Sequence, residues 1–149
     1  MKNIIIILLL GLIGQSCSSK SKIQPQIDAI QKILKNSEYS FEQKGECNCR
    51  LKGPSVWDAV GNTQWDFNLQ KTIQIIDTFL TWQVRLKYKN SEDVNVKVLE
   101  WNTTDMSPKA KQIRSTYNYV PITTKNKTKA KKLIQHFKKA AIKCGAKLK

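Results

Sequence analysis

Between residues 82 and 89 the chain alternates without a break: Trp82, Val84, Leu86 and Tyr88 carry large apolar or aromatic groups, and Gln83, Arg85, Lys87 and Lys89 are polar. Successive side chains leave opposite faces of an extended backbone, so such a run suits a strand with one dry and one wet face, and that strand needs a sheet around it. The same period recurs at Tyr39 and Phe41, at Cys47, Cys49 and Leu51, at Trp65, Phe67 and Leu69, at Ile73 and Ile75, and at Val94, Val96 and Val98 up to Trp101. Lys44-Gly45 predicts a turn between the first two of these, and Gly53-Pro54 predicts a break after the second. The polar stretch Asn90 to Asp93 predicts a hairpin joining 82–89 to 94–101. A polar loop is expected from Asn102 to Lys111, then a last strand from Ile113 to Ile122, ending near Pro121.

Two segments switch to the helical period. Ile23, Ile27, Ile30, Ile33 and Leu34 form one apolar stripe, with Pro25 near its start and Asn36-Ser37 at its end. Ala130, Leu133, Ile134, Phe137, Ala141 and Cys144 form another, followed by Gly145 as a natural cap. The expected fold is therefore α+β: a short N-terminal helix, six to seven antiparallel strands in one sheet or partial barrel, and a C-terminal helix closing over the apolar face. In its order of elements this is similar to a PH-like fold, and the ending Lys143-Cys144-Gly145 resembles small uncharacterised exported proteins with a similar terminal helix. That likeness implies an overall shape and assigns no functional residue.

The N-terminus reads as an export signal. Met1-Lys2-Asn3 supplies positive charge, and Ile4 to Ile13 is apolar apart from Gly11, too short for the roughly 20 residues a spanning helix needs. The following Gly14-Gln15-Ser16-Cys17 resembles the lipobox of bacterial lipoproteins, with the small Ser16 before the cysteine and departures at Gly14 and Gln15. The resemblance implies cleavage after residue 16 and acylation of Cys17, with palmitate or a similar chain. Ordinary signal cleavage at the small residues Gly14 and Ser16 is the competing reading. Ser18 follows Cys17, where Asp would imply inner-membrane retention, so the likeness implies delivery to the outer membrane, with periplasmic or exterior orientation left open. The chain then divides into a signal peptide at 1–16, a lipidated Ser/Lys-rich tether at 17–22 and one domain at 23–149. The 133 residues beyond the signal suit a single domain with a real core.

Charge is the second constraint. The net charge is +15, yet all 11 acidic residues lie at or before Asp105; from Ser107 onward there are 12 lysines and Arg114. Lys131, Lys132, Lys138, Lys139 and Lys143 fall away from the apolar stripe of the last helix, so this helix is expected to bury one face and offer a basic one to an anionic lipid, glycan or protein. The bland alternative is that these lysines only solvate one face. No nucleic-acid partner is expected of an exported chain.

With Cys17 spent on lipid, three cysteines remain, and outside the cytoplasm one disulfide and one free thiol are the arithmetic outcome. Cys47 and Cys49 project to one side of a strand, and Cys144 lies on the apolar face of the last helix. A bridge from Cys144 to either of them closes a loop of about 96 residues and stabilises by roughly 4 kcal/mol at most. The spacing does not choose between Cys47 and Cys49. A bridge between the two is awkward in extended backbone.

Little else suggests chemistry. His136, the one histidine, sits about 80° around the helix from Cys144, and paired ligand clusters such as C-x2-C are missing, so no metal and no cofactor are expected. Asp58, Asp66, Asp77, Glu100 and Asp105 are dispersed, and no nucleophile elbow or phosphate-cradling loop is present. Of the four tryptophans at least two are expected in the core, with Trp57 the best candidate for a surface position. Asn102-Thr103-Thr104 and Asn126-Lys127-Thr128 match the glycosylation pattern by chance. The expectation is a non-enzymatic, lipid-anchored binding module of the cell envelope. A small-ligand carrier or hydrolase using the barrel interior and an inhibitor or immunity-type lipoprotein are the rivals.

Overall fold

The computed structural model describes residues 21–54, 62–78, 82–101, 108–113 and 118–149, with backbone alone at 98–101 and 108–113. The signal segment, Cys17, Trp57, Asp58, Asp105 and the glycosylation triplet at 102–104 lie outside the described residues, as do the side chains of Glu100 and Trp101.

Both helices form where the apolar stripes predict them. Helix α1 runs over Gln24–Leu34, with Pro25 in its first turn, where a missing N–H costs nothing. It buries Ile27, Ile30 and Leu34. Helix α2 spans Lys127–Lys143 and buries Ala130, Leu133, Phe137, Ala140 and Ala141. Its N-terminus is capped by the Asn126 side chain, which accepts from the Lys129 amide at 2.9 Å. At the other end Gly145 takes φ +87°, and the Ala146 and Gly145 amides donate back to the carbonyls of Ala141 and Ile142, both at 2.9 Å. This is the Schellman arrangement, and its left-handed residue favours glycine.

The strands are β1 (Ser40–Gln43), β2 (Asn48–Pro54), β3 (Asn62–Asn68), β4 (Thr72–Thr78), β5 (Gln83–Tyr88), β6 (Val94–Trp101), β7 (Pro108–Ile113) and β8 (Tyr119–Thr123). They divide between two antiparallel sheets, one in the order β1-β2-β3-β6-β7 and the other β4-β5-β8. The fold is α+β with two helices, as expected, but the single sheet or partial barrel is corrected to two separate sheets. A 3-10 turn at Leu69–Lys71, started by the Asn68 side chain accepting from the Gln70 amide, carries the chain from the larger sheet to the smaller. A second, at Ser91–Asp93, carries it back.

That crossing overturns the expected hairpin between 82–89 and 94–101. β5 pairs with β4 and β8, whereas β6 pairs with β3 and β7. Alternation reports which faces of a strand are dry and says nothing of its neighbour. The expected last strand from Ile113 to Ile122 is likewise two elements in two sheets, and β7 lies largely in the stretch read as a polar loop, because an edge strand of sequence Pro-Lys-Ala-Lys-Gln-Ile shows little alternation to read. The turn at Lys44-Gly45 stands, closing the β1–β2 hairpin with a Lys44 amide to Asn48 carbonyl bond of 2.8 Å. Gly53 and Pro54 do not break β2. β1 has already ended opposite Lys52, so Pro54 has only β3 beside it, where a residue without an N–H is tolerated.

One core joins all layers. Trp65, Leu51, Val84, Leu86, Tyr88, Leu133 and Phe137 are fully buried. Phe41 meets Phe137 edge-on with ring centres 5.5 Å apart, and Phe67 of the larger sheet meets Tyr88 of the smaller at 6.4 Å. The helices run antiparallel across this core. Near one end Lys143 of α2 reaches Lys22 and Gln26, and near the other Leu133 and Lys129 of α2 share a cleft with Ile33 and Leu34 of α1. Of the tryptophans, Trp65 is buried and Trp82 is half-buried.

Candidate functional site

The cysteines resolve by position. Cys47 lies one residue before β2, and Cys144 caps the C-terminus of α2; the two are disulfide-bonded with Cα atoms 5.9 Å apart across 97 positions of sequence. Cys49 remains a free, buried thiol within β2. Burial pushes its pKa up to about 12, so it stays protonated and a poor nucleophile at neutral pH. The bridge therefore fastens the closing helix to the start of β2. Lys149 adds a further tie where its amide donates to the Ile73 carbonyl of β4 at 2.9 Å.

The fastened helix turns its lysines outward. Lys131, Lys132, Lys138, Lys139 and Lys143 are all exposed, and at 100° per residue they spread over an arc of about 140° on α2. No acid interrupts it, since α2 contains none. Within the arc stands Ile142, which is 61% exposed and is the one large hydrophobic residue so exposed among the described residues. None of the ion pairs of the described residues involves Lys131, Lys132, Lys138 or Lys139. Lys143 points along the helix end, donating to the Lys22 carbonyl at 3.2 Å and to Gln26 Oε1 at 3.3 Å. Lys127, at the other end, approaches the Trp82 ring at 5.7 Å.

The exposed face of the larger sheet handles charge differently. Glu42, Arg50 and Asp66 stand opposite one another on β1, β2 and β3. Arg50 donates through Nε to Asp66 Oδ1 at 2.6 Å and through a terminal nitrogen to Oδ2 at 3.3 Å, while Gln64 adds a 2.8 Å bond to Oδ2. Glu42 lies 3.7 Å from Arg50 and 3.0 Å from Lys44. Burial alone would raise the Asp66 pKa; the Arg50 and Gln64 hydrogen bonds outweigh it and hold the carboxyl below its usual range. The same hydrogen bond raises Arg50.

Surface clefts larger than 300 Å³ are lined by described residues. One, of about 600 Å³, has Ile33, Leu34, Leu133 and Tyr39 in its apolar lining and Lys125, Lys129 and Glu38 among its polar groups. Tyr39 is pinned as one wall: its ring lies on Gly53, where an added Cβ would fall 2.2 Å from Cδ1, and its hydroxyl accepts from the Thr123 amide at 3.2 Å. A wider polar cleft of about 730 Å³ borders Ser21 and Lys22, and one of about 330 Å³ borders Asp66 and Asp93. The space between the layers, where the rival reading of a ligand carrier or hydrolase put its site, holds the buried core side chains.

His136 is half-buried on α2, well apart in direction from Cys144. No group of three potential metal ligands occurs among the described residues. Among those residues no helix is long and apolar enough to cross a membrane. The sequence identified the three domain cysteines and the five lysines; the Tyr39-lined cleft and the Glu42–Arg50–Asp66 ladder were not found, and for the ladder the only available signal was one charged residue on each of three strands. No protein-family model matches the chain, and neither a curated protein nor a solved structure matches it at a significant level.

Proposed function

We propose that the protein is a lipid-anchored module of the cell envelope that acts by binding, held to the outer membrane through acylated Cys17 and engaging an anionic lipid, glycan or protein through the lysine face of α2. The observation that carries the reading is the acid-free arc of exposed lysines on a disulfide-fastened helix, four of which have no ion-pair partner among the described residues. A solvating surface needs neither a single sign nor concentration on one helix. The signal-like N-terminus with its lipobox-like Cys17 supports the anchor.

Palmitate labelling and detergent-phase partitioning of the wild type and Cys17→Ala test the anchor; incorporation into the wild type alone is the expected result. Replacing Lys131, Lys132, Lys138, Lys139 and Lys143 together with Gln tests the face. The expected result is loss of partner recovery in pull-downs, and unchanged recovery with unchanged envelope retention overturns the reading. A second reading, a small-ligand carrier, is favoured by the 600 Å³ cleft, which falls in the usual size range of such sites. Its apolar lining and lysine rim suit an amphipathic anion, and Ile33→Trp, which enlarges a half-buried side chain on the cleft wall, is expected to abolish any such binding.

A further inference from the structure

We propose that the lysine face of α2 lies flat on the anionic phospholipid headgroups of the same bilayer that holds the acyl anchor. This rests on the lipid-anchored reading above and names the partner of its basic face. The first argument is reach. Cys17 precedes Lys22 by five residues, so even a fully extended tether spans about 18 Å at most. The tether enters the domain beside the C-terminal end of α2, where Lys143 donates to the Lys22 carbonyl. An acyl chain on Cys17 therefore holds this end of the helix close to the headgroups.

The second argument is electrostatic. From Lys131 to Lys143 the helix rises about 18 Å. Standing upright on its tethered end, the domain would hold Lys131 and Lys132 well beyond the Debye length of roughly 8 Å at physiological salt. Lying flat brings Lys131, Lys132, Lys138 and Lys139 into that layer together. Each lysine near an anionic leaflet favours the docked state about fivefold, and the anchor has already supplied a high effective concentration. Among the described acids, Glu42 and Asp66 are engaged by Arg50 and Lys44, Asp93 by Lys71 and Glu46 by Lys22, and none forms an ion pair with Lys131, Lys132, Lys138 or Lys139. Ile142, exposed among Lys138, Lys139 and Lys143, offers the face one shallow apolar contact. In this orientation the cleft at Tyr39 and Leu133, at the end of the helix pair away from the tether, is displaced along the membrane from the anchor point.

The test uses the full protein, extracted from cells and reconstituted in vesicles of phosphatidylcholine alone or with about one third phosphatidylglycerol. Flotation first reports whether the chain stays on the neutral vesicles. Brief labelling with a water-soluble amine reagent, read lysine by lysine by mass spectrometry, then reports the face. The expected result is flotation on both vesicles, with Lys131, Lys132, Lys138 and Lys139 labelled at least fivefold more slowly on the anionic ones. Lys52 on β2 and Lys89 just after β5 should be unchanged, and the protection should vanish at high salt. Equal labelling of the four α2 lysines on both vesicles, with flotation intact, overturns the docking while leaving the anchor standing, and it would leave the face to a soluble acidic partner. Failure to float on neutral vesicles overturns the anchor, and the docking with it. The variant with Gln at all four positions should still float on both vesicles, and any difference between them in the labelling of Lys143, beside Ile142, should be lost.

Discussion

Two exposed surfaces of this molecule carry charge in opposite ways. On the larger sheet, Glu42, Arg50 and Asp66 sit opposite one another across three strands and satisfy each other, with Gln64 and Lys44 completing the set. On α2, Lys131, Lys132, Lys138 and Lys139 share one arc and have no ion-pair partner among the described residues. The first surface projects little field beyond itself; the second projects nearly all of it. Paired charges on a sheet hold register, whereas a one-sign face costs the fold a little self-repulsion and gains nothing from it internally. The contrast separates charge that serves structure from charge left available to a partner.

The largest test of this contrast asks what holds the unpaired face in place. Ion pairs to the four central lysines do not, so the bridge and the buried stripe must. Replacing both Cys47 and Cys144 with Ala is expected to lower unfolding free energy by about 3–4 kcal/mol, measured by urea denaturation. A loss below about 1 kcal/mol would mean that the packing of Phe137 and Leu133 suffices by itself.

On the paired surface, Asp66→Asn is expected to cost about 1–2 kcal/mol, because it weakens charge-assisted hydrogen bonds in a pair whose side chains are only 27% and 26% exposed. The wild type carries a matching pH signature. Asp66 titrates lower in the folded state than when unfolded, so its stabilisation is fully present above about pH 4 and is lost as the pH falls through the lower, folded value. Denaturation curves from pH 6 to pH 2 should show that part of the acid sensitivity in the wild type and not in Asp66→Asn.

The lysine face should respond in the other direction. Changing Lys131, Lys132, Lys138 and Lys139 to Gln is expected to leave stability within about 0.5 kcal/mol, and any change at low salt should be a gain, since repulsion with Lys127 and Lys143 one turn away is relieved. A loss above about 1 kcal/mol at low salt would show that these lysines have structural partners and would erase the contrast. A comparably small effect is expected in the core of β3, where Thr63 Oγ1 is buried without a hydrogen-bond partner. Thr63→Val keeps the shape and removes the stranded hydroxyl, so it should be neutral or stabilising by up to about 1 kcal/mol in thermal unfolding.

Much of the secondary structure was legible because it follows from local periods. α1 and α2 sit on their apolar stripes, and Gly145 caps α2 where it was expected to. β5 matches the 82–89 alternation, except that Trp82 stands just outside the strand with φ 47°. Pairing was less legible. The expected hairpin failed since Val94, Val96 and their neighbours would suit either sheet; the 3-10 turn at Ser91–Asp93, not the alternation, sends them back beside β3. β7 was missed because its sequence, Pro-Lys-Ala-Lys-Gln-Ile, holds too few large apolar residues to show a pattern. The cysteine pairing was undecidable locally because Cys47 and Cys49 share one spacing and one side of the chain, and only the position of the α2 end relative to the strand start separates them.

What the one-dimensional order of residues determined by itself is everything that depends on a period or a run: two amphipathic helices, most of the strands, a lysine-rich and acid-free final third, and an N-terminal segment with the pattern of an export signal. These follow from the bond geometry of an isolated helix or strand, which repeats every 3.6 or 2 residues whatever surrounds it. Only the tertiary structure decided that the strands form two sheets, that Cys47 and not Cys49 meets Cys144, that Lys131, Lys132, Lys138 and Lys139 have no ion-pair partner among the described residues while Arg50 and Asp66 pair, and that a cleft opens beside Tyr39. Each of these depends on distances between segments far apart in the chain, and such distances are set by how the whole core packs.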